Sequence, residues 1–111
     1  MRLDRHDRLV STIRQLTAEF LERQLRTGNG ALSTVTQVDL STDGRRATIY
    51  LTVFPDTAEK TGLKNGQKLL GPLRQWLRTQ LGLKNPPFLV MMLDEREKKR
   101  RMRKDGAVAR W

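Results

Sequence analysis

The sequence predicts an α+β domain with the element order α-β-β-α-α-β, in which a three-stranded sheet is covered on one face by three helices. Three observations predict it. Apolar residues recur at helical spacing as far as Leu25 and change to a period of two at Leu32. A second period-two run begins at Arg46, after the turn-forming stretch Ser41-Thr42-Asp43-Gly44. Two further helical stretches, parted by Gly71-Pro72, then lead to an apolar run of strand length, Phe88 to Leu93.

Leu9, Ile13, Leu16, Phe20 and Leu25, flanked by Val10 and Leu21, make one stripe of a first helix from about Asp4 to Arg26. Asp4 is placed to cap its start, and Gly28-Asn29-Gly30 to end it. Leu32, Thr34, Thr36, Val38 and Leu40 define one side of the first strand, and Ala47, Ile49, Leu51 and Val53 that of the second. The two should pair as an antiparallel hairpin. Pro55 ends the second strand because it offers no ladder donor, and Asp56-Thr57-Ala58-Glu59 has the spacing of a capping box for the second helix. That helix is the weakest element, since Gly62 and Gly66 each cost about 1 kcal/mol relative to Ala. Pro72 suits a first helical turn, and Gly71 allows a bend before it. The third helix carries Leu73, Trp76, Leu77 and Leu81 on its apolar side and stops at Gly82. Ile49, Leu51, Leu73 and Leu77 are the expected core, with Trp76 beside them. Tyr50 and Phe54 fall on the opposite strand face, where they either pack against a neighbouring loop, the expected use, or form a small stacking platform.

A chain of 111 residues suits one domain with an economical core. We expect one folded unit over residues 1–95 and a basic, flexible tail over 96–111, where Arg96 to Lys104 holds seven cations and one Glu. With no Cys, there are no disulfides, no thiolate catalysis and no sulfur-ligated zinc. No run reaches the roughly 18 apolar residues of a membrane span, and Asp4 and Asp7 interrupt any signal-peptide pattern, so a soluble cytoplasmic monomer is expected. His6 is the single histidine and reads as a surface residue, not a metal ligand or base. Gly66-Gln67-Lys68-Leu69-Leu70-Gly71 has phosphate-loop glycine spacing, but Pro72-Leu73 stands where Lys and Ser/Thr are required. No catalytic residue, metal or cofactor is expected.

The charge is what the sequence offers as a site. Met1 to Glu59 carries eight Lys/Arg against eight Asp/Glu, whereas Lys60 to Trp111 carries fourteen against four. Lys60, Lys64, Lys68, Arg74, Arg78 and Lys84 occur without one carboxylate before Met92. At about 100° per residue the three lysines share one side of the second helix, opposite Gly62 and Gly66. Free N–H groups at the start of the third helix add partial positive charge around the Gly71-Pro72 hinge. A phosphate-facing surface follows. Lys98, Lys99, Arg100, Arg101, Arg103 and Lys104 extend the cation set into the tail.

Five stretches of the chain resemble ribosome-binding factor A, built on a type II KH fold: Arg5-His6-Asp7-Arg8; Thr36-Gln37-Val38-Asp39-Leu40-Ser41; Ala47-Thr48-Ile49-Tyr50-Leu51-Thr52-Val53; Gly71-Pro72-Leu73-Arg74-Gln75-Trp76-Leu77; and Leu81-Gly82-Leu83-Lys84-Asn85-Pro86-Pro87 before Asp94. The resemblance implies a non-enzymatic assembly factor that binds the immature small (30S) ribosomal subunit and its 16S rRNA and assists late maturation and 5′-end processing. It also implies an interhelical Ala-x-Gly kink, whose positions here are Leu69, Leu70 and Gly71, with Leu69 in place of the alanine and Pro72 following. Two other readings of the same cations are a DNA-binding helix-turn-helix protein, with the third helix as reader, and a structural, RNA-bound ribosomal protein.

Overall fold

The computed structural model describes residues 5–24 and 32–100. Helix α1 (Arg5–Gln24) is followed by strands β1 (Leu32–Leu40) and β2 (Arg46–Phe54), a 3-10 turn (Asp56–Ala58), helices α2 (Glu59–Lys68) and α3 (Leu70–Leu81), and strand β3 (Phe88–Leu93). This is the expected α-β-β-α-α-β order. The sheet order is β1-β2-β3, with β1 antiparallel and β3 parallel to β2. The α2–α3 pair therefore supplies the crossover that a parallel strand requires. Asp4, Leu25, Arg26 and Gly28-Asn29-Gly30, assigned above to the ends of the first helix, lie outside the described residues.

The hairpin closes as its residues dictate. Gly44 takes φ 73°, its N–H donates to the Ser41 carbonyl at 2.9 Å, and the Ser41 N–H donates to the Arg46 carbonyl at 2.8 Å. Ile49, Leu51, Leu73 and Leu77 are all fully buried, joined by Ile13, Ala47 and Val53. Trp76 is only half-buried and meets Phe20, ring centroids 5.5 Å apart. His6 is not a simple surface residue: its Nε2 lies 3.2 Å from the Leu40 carbonyl and ties the start of α1 to the end of β1. Among the described residues no helix is long and apolar enough to cross a membrane.

The period-two reading of β1 needs correction. Pairing shifts between Val35 and Gln37, a β-bulge at Thr36, so Val35, Val38 and Leu40 face the core while Leu32 is 64% exposed. One extra residue exchanges the two faces of the strand midway. The bulge has a partner, because the Thr36 hydroxyl donates to Asp94 Oδ2 at 2.5 Å.

The start of α2 also departs from expectation. No side-chain capping bond forms, and the chain enters the helix through the 3-10 turn. Glu59, the acid of the expected capping box, instead accepts from Lys98 Nζ at 2.8 Å. Gly62 and Gly66, which weaken α2 by propensity, are the contact that lets it lie on the sheet. A Cβ on Gly62 would sit 2.9 Å from both Val53 methyls, and one on Gly66 would meet the Met91 sulfur. Gly71 differs: it lies in the first turn of α3, has no positive φ, and faces open space. Gly62→Ala is expected to destabilise, because overpacking against a stiff β-branched side chain costs about 1–3 kcal/mol and better helix propensity offsets at most about 1. Gly71→Ala should be neutral or stabilise by about 0.4–1 kcal/mol. Thermal melts of the two variants check the contrast.

Candidate nucleic-acid interface

Helix α2 buries Gly62 and Gly66, and residues two positions away turn outward. Lys60, Lys64 and Lys68 accordingly occupy one exposed face, at i, i+4 and i+8. In α3 the buried Leu73 and Leu77 fix the inward side, and Arg74 and Arg78 each follow one residue later on an exposed side. Gly82 takes φ 63° and donates its N–H to the Arg78 carbonyl, which ends α3 and leaves Lys84 exposed in the connection to β3.

The break between α2 and α3 falls at Leu69, with φ −90° and ψ −3°, two residues before the bend placed at Gly71 from sequence. Leu69 and Leu70 pack at the margin of the core, while Gly71 and Pro72 belong to the first turn of α3. The missing N–H of Pro72 costs nothing there, since the first α-type bond of the helix runs from the Leu73 N–H to the Leu69 carbonyl at 2.8 Å. No side chain caps the α3 start.

Arg74 has a task that spacing did not reveal. Its Nε donates to the Pro87 carbonyl at 3.1 Å and its Nη2 to the Pro86 carbonyl at 2.9 Å. The guanidinium thus holds the Pro86-Pro87 segment that delivers β3 to the sheet. Two of its N–H groups are committed, which counts against α3 as a DNA reader.

The boundary drawn at Arg96 does not coincide with the end of regular structure. Residues 95–100 are helical, starting from a buried Asp94 whose Oδ1 accepts from the Glu97 N–H at 2.9 Å. Arg96 Nη2 reaches Gln37 Oε1 at 2.8 Å, Arg100 pairs with Glu97, and Lys98 pairs with Glu59. Hydrogen bonding to Glu59 holds the Lys98 ammonium above the usual lysine range. Lys99 is exposed. Arg101, Arg103 and Lys104 lie outside the described residues. No spacing rule links Asp94 to Thr36, 58 residues away, so sequence reasoning missed this node; the lone Asp after an apolar strand was its one signal.

Burial works to raise the Asp94 pKa, but the Thr36 hydroxyl, the Glu97 N–H and nearby Arg96 outweigh it and hold the carboxylate below its usual range. A folded pKa below the unfolded one adds stability that is complete above the unfolded value, about 3.9, and is lost as pH falls through the lower folded value. Asp94→Ala is therefore expected to destabilise by about 1–2 kcal/mol at neutral pH, chiefly as a lost cap. Its difference from the parent should shrink in urea titrations run progressively below pH 4.

A sequence profile described as ribosome-binding factor A matches residues 5–104. The ribosome-binding factor A of Thermobifida fusca is 33% identical over 92 residues, covering 82% of this chain and 61% of that protein. The chain thus spans less than two thirds of that relative's length. The crystal structure of ribosome-binding factor A from Thermus thermophilus superposes with a TM-score of 0.67 at 22% identity, covering 78% of this chain and 92% of that one. A homology model of the T. thermophilus factor, fitted into the cryo-EM map of a 30S complex, superposes with a TM-score of 0.64 at 24% identity, covering 77% and 90%. The α+β, KH-like fold is shared with these structures.

Proposed function

The chain belongs to the ribosome-binding factor A family, and from that premise we propose that it binds the immature small ribosomal subunit and its 16S rRNA, assisting late maturation and 5′-end processing without itself making or breaking bonds. The observation that carries this reading is the acid-free sequence from Lys60 to Met92, on which Lys60, Lys64, Lys68, Arg78 and Lys84 all stand exposed. Such a surface gains most from a dense phosphate array, by Coulomb attraction and counterion release. Lys99 and Arg100 extend it, and Arg101, Arg103 and Lys104 join it by charge. Arg74 contributes chiefly by holding the Pro86-Pro87 segment. The T. thermophilus relative fitted into a 30S complex supports the choice of particle.

The protein acts as a cytoplasmic monomer in this reading, with the α2–α3 break as the shape that meets the RNA. Sedimentation of the endogenous protein through a ribosome gradient tests it. Presence on free small subunits, with absence from washed mature ribosomes, is the expected result. Stoichiometric retention on mature ribosomes would identify a structural ribosomal protein, and absence from both would overturn ribosomal binding.

A further inference from the structure

Helices cover one face of the sheet, and strand alternation sends every second residue of β2 and β3 to the other. That other face ordinarily carries polar residues. Here β3 supplies Phe88, Val90 and Met92, in register with Arg46, Thr48 and Tyr50 of β2. Phe88 is 65% exposed and Met92 49%. Alternate strand residues stand about 6.6 Å apart, roughly twice the ~3.4 Å per nucleotide of a stacked strand, so bases resting on this row would be splayed.

Cations stand at both ends of the row. Arg46 is the cross-strand neighbour of Phe88 and has no acidic partner among the described residues. At the far end Arg96 crosses to Gln37, the cross-strand neighbour of Tyr50, and the two line an open cleft of about 230 Å³ together with Asp94, Glu97 and Arg100. The three strands carry a single carboxylate, Asp39, and Gln37 Nε2 donates to it at 2.7 Å.

We propose that this uncovered sheet face is a second RNA surface, which takes unpaired nucleotides by stacking on Phe88, Met92 and Tyr50 while Arg46 and Arg96 meet the flanking phosphates. The proposal rests on the reading of the chain as an RNA-binding factor and adds a substrate class to it: single strands here, on the side of the sheet opposite α2. Flat π faces between phosphates match an apolar row between cations. A helical duplex offers this face phosphates without exposed bases, and an apolar protein helix gains nothing from the terminal arginines.

The test titrates the full chain with fluorescein-labelled oligouridylate and, in parallel, with a blunt RNA duplex. Phe88→Ala is expected to weaken oligouridylate binding about fivefold or more, the effect of one lost stacked base, and to leave duplex binding unchanged. Phe88→Tyr should retain the affinity of the parent for single strands. Because Phe88 is largely exposed, thermal melting of both variants should match the parent. Equal oligouridylate affinity for Phe88→Ala and parent overturns the proposal, as does an equal loss on the duplex. A loss seen only on ribosomal particles also overturns it and points to a protein partner. Charge reversal at Lys60, Lys64 and Lys68 separates the two readings: it acts on duplex and particle binding, whereas the difference between Phe88→Ala and Phe88→Tyr on single strands persists only if the sheet face binds them.

Discussion

Leu77→Ala is expected to lower the unfolding free energy by about 2–5 kcal/mol, the range for truncating a fully buried leucine. Leu77 has no exposed surface and belongs to the core cluster, on a helix that lies against both α1 and β3. Collapse around the void is opposed because Ile13, Ile49 and Leu51 of the same cluster are themselves fully buried on other elements. Domains of this size have about 5–15 kcal/mol in total, so the substitution should remove a large share of the stability and lower the melting temperature. Urea denaturation with an unchanged m-value checks the size of the loss. A decrease under about 1 kcal/mol would mean that α3 slides inward to fill the void.

Simultaneous Lys60→Glu, Lys64→Glu and Lys68→Glu is expected to abolish most of the affinity for small subunits while the fold is kept. If the three lysines each neutralise one phosphate, the slope of log affinity against log salt should become shallower by about 2–3 units, at roughly 0.7–0.9 per contact. All three side chains are exposed, and like charges at i, i+4 repel before and after the change, so stability should move by about 0.5 kcal/mol or less. Arg74 is best excluded from such a variant. Its reversal would release the Pro86 and Pro87 carbonyls and confound binding with folding. Filter binding across a salt series, paired with denaturation, reads both quantities, and an unchanged slope would remove the α2 face from the mechanism.

Periodicity and punctuation made most of the fold legible. The run Phe88 to Leu93 is β3 residue for residue, Gly82 ends α3 in the left-handed conformation, and the four core residues chosen from the stripes are fully buried. What escaped depends on partners distant in sequence. The segment Leu32 to Leu40 is compatible with two face assignments, and the bulge at Thr36 selects between them with help from Asp94. The acid of the apparent capping box is claimed by Lys98, 39 residues on, which outweighs a local bond at a helix start. The cation set of the site was legible as charge, because exposure follows from helical phase. The structural task of Arg74 was not, since nothing local marks the Pro86-Pro87 carbonyls as its acceptors.

The ion pair between Lys98 and Glu59 fastens the root of the carboxyl-terminal cations beside Lys60. A polyanion already held along the second helix would then encounter Lys99 and Arg100 at a high effective concentration, without a fresh diffusional search. In the proposed reading, two patches that would each bind feebly would gain avidity from one short strut, and dissociation would have to free both.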